Sequence, residues 1–213
     1  MAAGNRAPAR ASTGSQDMRR EATPNASALS RQAPCCALRY SPLGRPGALV
    51  PVPPGARYRL ANPPAAALVR PALAAQLQRV LERFAAEAGA TPARPVAIEF
   101  RPGVVGHHQV GRAADLYAVG GGGLAGWKRR WDTDLRAALH QPDRDLARLA
   151  LARMRAGNLG WRLYRALQCH GRWAQPYGYP IQLFGPWTRD EGPWRFVSDK
   201  LLHAHRDHIH VAL

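Results

Sequence analysis

The sequence predicts an α+β fold, in which a small antiparallel sheet is flanked by helices. Short apolar runs bounded by Gly and Pro indicate strands at residues 95–100, 112–119 and 208–213. Apolar residues at helical spacing indicate a helix that begins at Pro71 and a longer helical stretch over about 124–171. These two kinds of pattern together predict one mixed domain of ordinary size.

The first predicted helix begins at Pro71, because proline suits the first turn, where its missing N–H costs nothing. Five apolar residues then recur at helical spacing before Gly89: Leu73, Leu77, Val80, Leu81 and Phe84. The longer helical stretch is expected to break at Gly157-Asn158. Its N-cap candidates are Asp132, Asp134 and Asp143.

The first predicted strand, 95–100, ends at Pro102-Gly103, and the second, 112–119, ends at the four glycines 120–123. Residues 172–198 are rich in Trp, Tyr, Pro and Gly, so they predict a long irregular connection. The last strand is expected at 208–213. The aromatic residues of the connection are core or loop-packing residues, or else they line a substrate cleft: Tyr177, Tyr179, Trp187 and Trp194.

Residues 1–62 predict a disordered, basic tail that precedes a domain over 63–213. The tail is rich in Ala, Pro, Ser, Arg and Gly, and it has no sustained helix or strand period.

No apolar stretch follows Arg19-Arg20, where an export signal requires one, so the sequence favours the cytoplasm. No run of about 20 apolar residues exists to span a membrane. Three cysteines are too few for a disulfide scaffold, and Cys169 is expected to be a small buried apolar residue.

The net charge of +16 makes anionic partners plausible. The positive charge is spread along the chain, and the densest basic run is Lys128-Arg129-Arg130. We therefore expect no specific nucleic-acid site, but non-specific attraction of polyanions through the basic tail.

Two histidine-rich clusters lie about a hundred residues apart and together suit a metal site. The first runs from His107 to Asp115, and the second runs from His203 to His210. A catalytic zinc requires three nitrogen or oxygen ligands and one open position for water. His208 and His210 are two residues apart, so they would share one face of a strand. His107, His203 and His205 are expected to be surface residues.

His108-Gln-Val-Gly-Arg-Ala-Ala-Asp115 matches the H-x-x-G-x-A-x-D signature of a known group of enzymes, and His208-Ile-His210 matches its H-x-H element. Over roughly residues 70–213 the chain resembles the zinc D-Ala-D-Ala carboxypeptidases and LAS-type metallopeptidases, which include murein endopeptidases. The resemblance implies a zinc cleft in which one zinc ion is held by His108, Asp115 and His210. It also implies a peptidase that hydrolyses peptidoglycan stem peptides or cross-links containing D-amino acids.

The resemblance further places a general base beside the metal, either Asp207 or His208, and the choice between them stays open. A cation usually stabilises the oxyanion, and Arg101 is the candidate. Relatives commonly have Ser before the first motif histidine, where this chain has His107. Relatives are also exported, which would place the protein in the periplasm or cell wall if the true start of the chain is missed. The alternative is a non-catalytic zinc-containing binding module of the same fold.

Overall fold

The structure is a computed structural model of the 213-residue chain. It describes residues 39–40, 48–53, 57–63, 67–88, 95–100, 106–174, 182–191 and 198–213. Within these ranges the strands are β1 Arg39–Tyr40, β2 Val50–Pro51, β3 Tyr58–Leu60, β4 Leu68–Val69, β5 Val96–Glu99, β6 Ala113–Val119, β7 Gly122–Gly123, β8 Arg172–Trp173, β9 Leu183–Phe184 and β10 Ile209–Ala212. The helices are α1 Pro71–Glu87, α2 Leu124–Leu139, α3 Arg144–Gly157, α4 Leu159–His170, α5 Thr188–Glu191 and α6 Asp199–Ala204.

The main sheet has the strand order β3-β5-β6-β10-β9, with β7 paired to the far end of β6. The strand pairs β5–β6, β6–β10 and β10–β9 are antiparallel, whereas β3 and β5 run parallel. The mixed α and β content is as the sequence predicts, but the expectation of a purely antiparallel sheet is wrong. The chain returns from β3 to β5 through helix α1, and a crossover of that length permits parallel pairing.

One face of the sheet forms the hydrophobic core. Ile98, Leu116 and Ile209 lie side by side on β5, β6 and β10, and all three are fully buried. They belong to the same apolar cluster as the buried residues of α1 and α4, such as Leu77 and Leu167. Side chains alternate between the two faces of a strand, so the neighbours of these residues point to the opposite face. That opposite face carries the candidate site.

The predicted helices agree with the structure at most boundaries, although the long helical stretch also divides between Leu139 and Arg144. Helix α1 begins at Pro71, and the long helical stretch divides at Asn158. The Asn158 side chain accepts a hydrogen bond from Trp161 N and donates one to Trp127 O, each 2.9 Å long. Asp143 caps α3 by accepting hydrogen bonds from two backbone N–H groups. Asp132 and Asp134 are wrong as caps, because they lie inside α2 and pair with basic residues one turn away.

Ordered structure begins earlier than the expected boundary at residue 63. Strands β1, β2 and β3 all lie before it, and β3 belongs to the main sheet. Residues 1–38, which hold most of the expected tail, lie outside the described residues.

The expectation for Cys169 is wrong, because this residue is half-buried and disulfide-bonded. No helix in the described part of the chain is both long and apolar enough to cross a bilayer.

A glycine near the start of α4 provides a test of the helix packing. At Gly160 an added Cβ would lie 2.6 Å from Cβ of Trp127 and 2.6 Å from the buried ring of Trp187. We expect Gly160→Ala to lower the free energy of unfolding by about 1–3 kcal/mol, since a well-packed core resists extra volume. Urea denaturation of the purified variant measures this change.

The matched control is Gly157→Ala at the end of α3, where an added Cβ meets nothing within 4 Å. Alanine leaves the unfolded chain fewer backbone conformations than glycine does. We therefore expect the free energy of unfolding to stay the same or to rise by about 0.4–1 kcal/mol. Helix propensity alone predicts that both changes stabilise the protein. An equal change in the free energy of unfolding at the two positions would show that Gly160 does not pack tightly against Trp127.

Candidate metal centre

Strand register brings the two halves of the candidate site together. Asp115 in the middle of β6 stands directly opposite His210 of β10. His108 comes from the turn that precedes β6, which is closed by hydrogen bonds from Gly111 N to His108 O and from Arg112 N to His107 O. Gly111 has φ +65°, a conformation that glycine adopts without strain. The turn therefore returns His108 to the face of the sheet where Asp115 and His210 meet.

The three side chains present their donor atoms to one another at short distances. His108 Nε2 lies 3.2 Å from His210 Nδ1 and 3.4 Å from Asp115 Oδ2. His210 Nδ1 lies 3.0 Å from Asp115 Oδ1. The side chains are only 5–11 % exposed. These three residues are a cluster that could hold a metal ion.

The spacing fits a tetrahedral zinc ion. Two ligand atoms that each lie 2.0–2.1 Å from a zinc ion at the tetrahedral angle are about 3.3 Å apart. The donor separations of 3.0–3.4 Å in this cluster match that value. Two imidazoles and one carboxylate are also a ligand set that zinc accepts in catalytic sites. One feature differs from the usual pattern, since His108 Nδ1 is buried with no hydrogen-bond partner among the described residues.

The electrostatics of the cluster favour the protonation states that bind a cation. Burial opposes ionisation of Asp115, but hydrogen bonds from His108 and His210 outweigh it and hold the pKa of this carboxyl well below its usual range. Burial lowers the pKa of His210, although Asp115 partly offsets this effect. Carboxylate ligands bind a metal in the ionised form and imidazole ligands in the neutral form, so both shifts would favour a metal ion at this cluster.

His208 and Asp207 form a second pair beside the cluster. His208 Nδ1 lies 2.8 Å from Asp207 Oδ1, while its Nε2 lies 3.7 Å from Asp115 Oδ1. Strand β10 begins only at Ile209, so His208 precedes the strand rather than lying within it. It nevertheless faces the cluster, whereas the Asp207 side chain is 58 % exposed. Asp207 therefore contacts the site through His208.

His205 also belongs to this region, which the sequence analysis did not expect. Its ring centroid lies 5.0 Å from that of His208, 5.3 Å from that of His210 and 5.3 Å from that of Phe184. Its Nδ1 donates a hydrogen bond to Leu201 O, 2.7 Å away, at the end of α6. Its position in the sequence carries no clear signal for this placement, because α6 ends at Ala204 and His205 lies in the irregular turn that precedes β10.

His205 predicts a specific pH dependence of stability in the metal-free protein. Burial lowers the pKa of His205 to about 4, below the ordinary value of 6.5. The unfolded chain therefore binds a proton more readily than the folded chain, and stability is lost as pH falls from about 6.5 towards 4. We expect His205→Gln to flatten this part of the profile, measured by urea denaturation in the presence of a chelator. His140→Gln, at an exposed position, is the control, and an equal profile for the two variants would contradict the assignment.

The remaining sequence candidates fall in different places. Arg101 lies outside the described residues, as do Tyr177, Tyr179 and Trp194. Trp187 is fully buried in the core. His203 is exposed and accepts a hydrogen bond from Arg206, in agreement with its expected surface role. His107 is half-buried, and burial, followed by the nearby His210 and Arg112, lowers its pKa.

No protein-family model, curated protein or solved structure matches this chain. The function must therefore be argued from the residues themselves. The described residues provide a His-Asp-His cluster with a histidine–aspartate pair beside it, on the face of the sheet opposite the core.

Proposed function

We propose that the chain is a zinc-dependent peptidase that hydrolyses peptide bonds in peptidoglycan stem peptides or cross-links. The observation that carries the proposal is the convergence of His108, Asp115 and His210, with donor separations of 3.0–3.4 Å. The resemblance of the two histidine motifs to the LAS-type peptidases supports the same reaction and supplies the substrate class.

The three clustered residues would hold the zinc ion and leave one position open for water or substrate. When bound, zinc lowers the pKa of a water molecule to about 7 and polarises the carbonyl that is attacked. Cross-strand pairing fixes the backbone of Asp115 and His210, so two of the three ligands would be positioned before a metal binds. Of the two base candidates, His208 is the better placed, because its Nε2 faces the cluster.

Asp207 has a supporting role in this proposal. Its carboxylate accepts a hydrogen bond from Nδ1–H of His208, which leaves Nε2 without a proton and able to accept one. His208 Nε2 could then take a proton from the water that attacks the peptide carbonyl and return it to the leaving amine. The arrangement uses both residues that the sequence analysis left as alternatives, in different roles.

The disulfide and the charge are consistent with action at the cell wall. Cys169 is disulfide-bonded, and disulfides persist in oxidising compartments rather than in the cytoplasm. The other two cysteines, Cys35 and Cys36, lie outside the described residues. The net charge of +16 attracts anionic polymers. We therefore propose the periplasm or cell wall as the site of action, in place of the cytoplasm that the sequence favours.

The test measures metal content and hydrolysis in the same preparation of the full chain. We expect about one zinc per chain by mass spectrometry, and soluble peptides released from purified peptidoglycan in a reaction that a chelator stops. Bound zinc without hydrolysis would favour the non-catalytic binding module instead. A protein that holds no zinc, even after reloading, would overturn the proposal.

A further inference from the structure

Tyr117 lies on the same face of β6 as Asp115, two residues further along the strand. In the β6–β10 ladder Leu116 pairs with Ile209, so the next position on each strand brings Tyr117 opposite His208. The two ring centroids are 5.2 Å apart, and the ring planes are inclined by 36°. This separation lies within the range of favourable aromatic contacts. Tyr117 lies outside both histidine motifs of the sequence.

His208 is thus held from three directions. Tyr117 packs against its ring on one side, and the centroid of the His205 ring lies 5.0 Å from that of His208. Asp207 accepts the hydrogen bond from its Nδ1. His208 precedes β10, so the hydrogen bonds of the strand do not by themselves orient its side chain. The packed rings and the hydrogen bond to Asp207 together supply that orientation.

We propose that Tyr117 is a positioning residue, whose ring holds the His208 imidazole with Nε2 towards Asp115. The inference rests on the proposed peptidase function, since it assigns a role to Tyr117 in that reaction. The proposal assigns this role to the aromatic ring of Tyr117, because the ring is the part that packs against the imidazole. A side chain of similar size without an aromatic ring would remove one of the three contacts that hold the imidazole, and a misplacement of about 1 Å can cost about 100-fold in rate.

The test compares Tyr117→Leu with the matched control Tyr117→Phe in the full chain. We expect Tyr117→Leu to lower kcat by about 10- to 100-fold with KM and zinc content unchanged, and Tyr117→Phe to keep the wild-type kcat. A wild-type kcat in Tyr117→Leu would overturn the proposal. Loss of bound zinc or of folded structure in Tyr117→Leu would also overturn it, because the residue would then support the fold or the ligands.

A second readout does not depend on hydrolysis. The ring-proton NMR signals of His208, assigned with the variant His208→Gln, report the aromatic ring that lies against them. We expect these signals to shift in Tyr117→Leu and to stay near the wild-type positions in Tyr117→Phe. Unchanged signals in Tyr117→Leu would overturn the ring contact. A protein without peptidase activity would overturn the proposed function, whereas this spectrum would still decide whether Tyr117 orients His208.

Discussion

Asp115→Ala is expected to abolish stoichiometric zinc binding. Asp115 supplies the carboxylate oxygens that lie 3.0 Å from His210 Nδ1 and 3.4 Å from His108 Nε2. Removal of a residue that only supports a ligand typically costs 10- to 100-fold in metal affinity. Loss of a ligand itself, and of the negative charge between two imidazoles, should therefore weaken zinc binding by more than about 100-fold. Competition with a chromogenic chelator measures this change.

The matched control is Asp145→Ala, which removes an exposed carboxylate in the first turn of α3. It should retain about one zinc per chain, because exposed ion pairs contribute little to stability. Circular dichroism of both variants separates loss of metal from loss of fold. If Asp115→Ala binds zinc as tightly as the wild-type protein does, the ion is held elsewhere and the assignment of the cluster is wrong.

His208→Gln is expected to retain zinc and to lose most of the peptidase activity. His208 is not one of the three clustered residues. Its Nε2 nevertheless faces the cluster and lies 3.7 Å from Asp115 Oδ1. General acid–base catalysis typically contributes about 100- to 10,000-fold, so we expect kcat to fall within that range. Steady-state hydrolysis of a peptidoglycan-derived peptide by zinc-loaded protein measures the effect.

Asp207→Asn should cause a smaller loss, about 10- to 100-fold, because Asp207 acts on His208 through a single hydrogen bond. His203→Gln is the matched control, since His203 is an exposed histidine on α6. It should keep the activity of the wild-type protein. Full activity in both His208→Gln and Asp207→Asn would exclude this pair from the reaction and would leave His205 as the nearest remaining base.

The helices were the part of the fold most open to prediction. Their signals are local, since apolar spacing and end residues such as Pro71 and Asn158 act within a few residues. The sheet was harder to predict, because β3 joins it from a segment whose composition resembles a tail. Short strands carry little pattern of their own, and their pairing depends on residues far along the chain.

His108 and Asp115 could be paired from the sequence because their spacing is a local property as well, whereas His210 was added through the resemblance of the second motif. Gly111 permits the turn after His108, and Asp115 follows on a strand whose alternation sets its face. The roles of Asp207 and His208 could not be separated in this way. The assignment of different roles to these two residues depends on two facts of the tertiary structure. Strand β10 begins at Ile209, and the ring of Tyr117 packs against His208.

The sequence by itself determined the main helices and three strands of the main sheet, β5, β6 and β10, because each depends on residues close together in the chain. The His-Asp-His set was named through the resemblance of two separate motifs to a known family. The tertiary structure alone decided that His108 and His210, 102 residues apart, lie within hydrogen-bond distance of each other. It also decided that His205 and Tyr117 contact His208. Such contacts follow from strand register and from the direction in which α6 ends, which are properties of the packed chain.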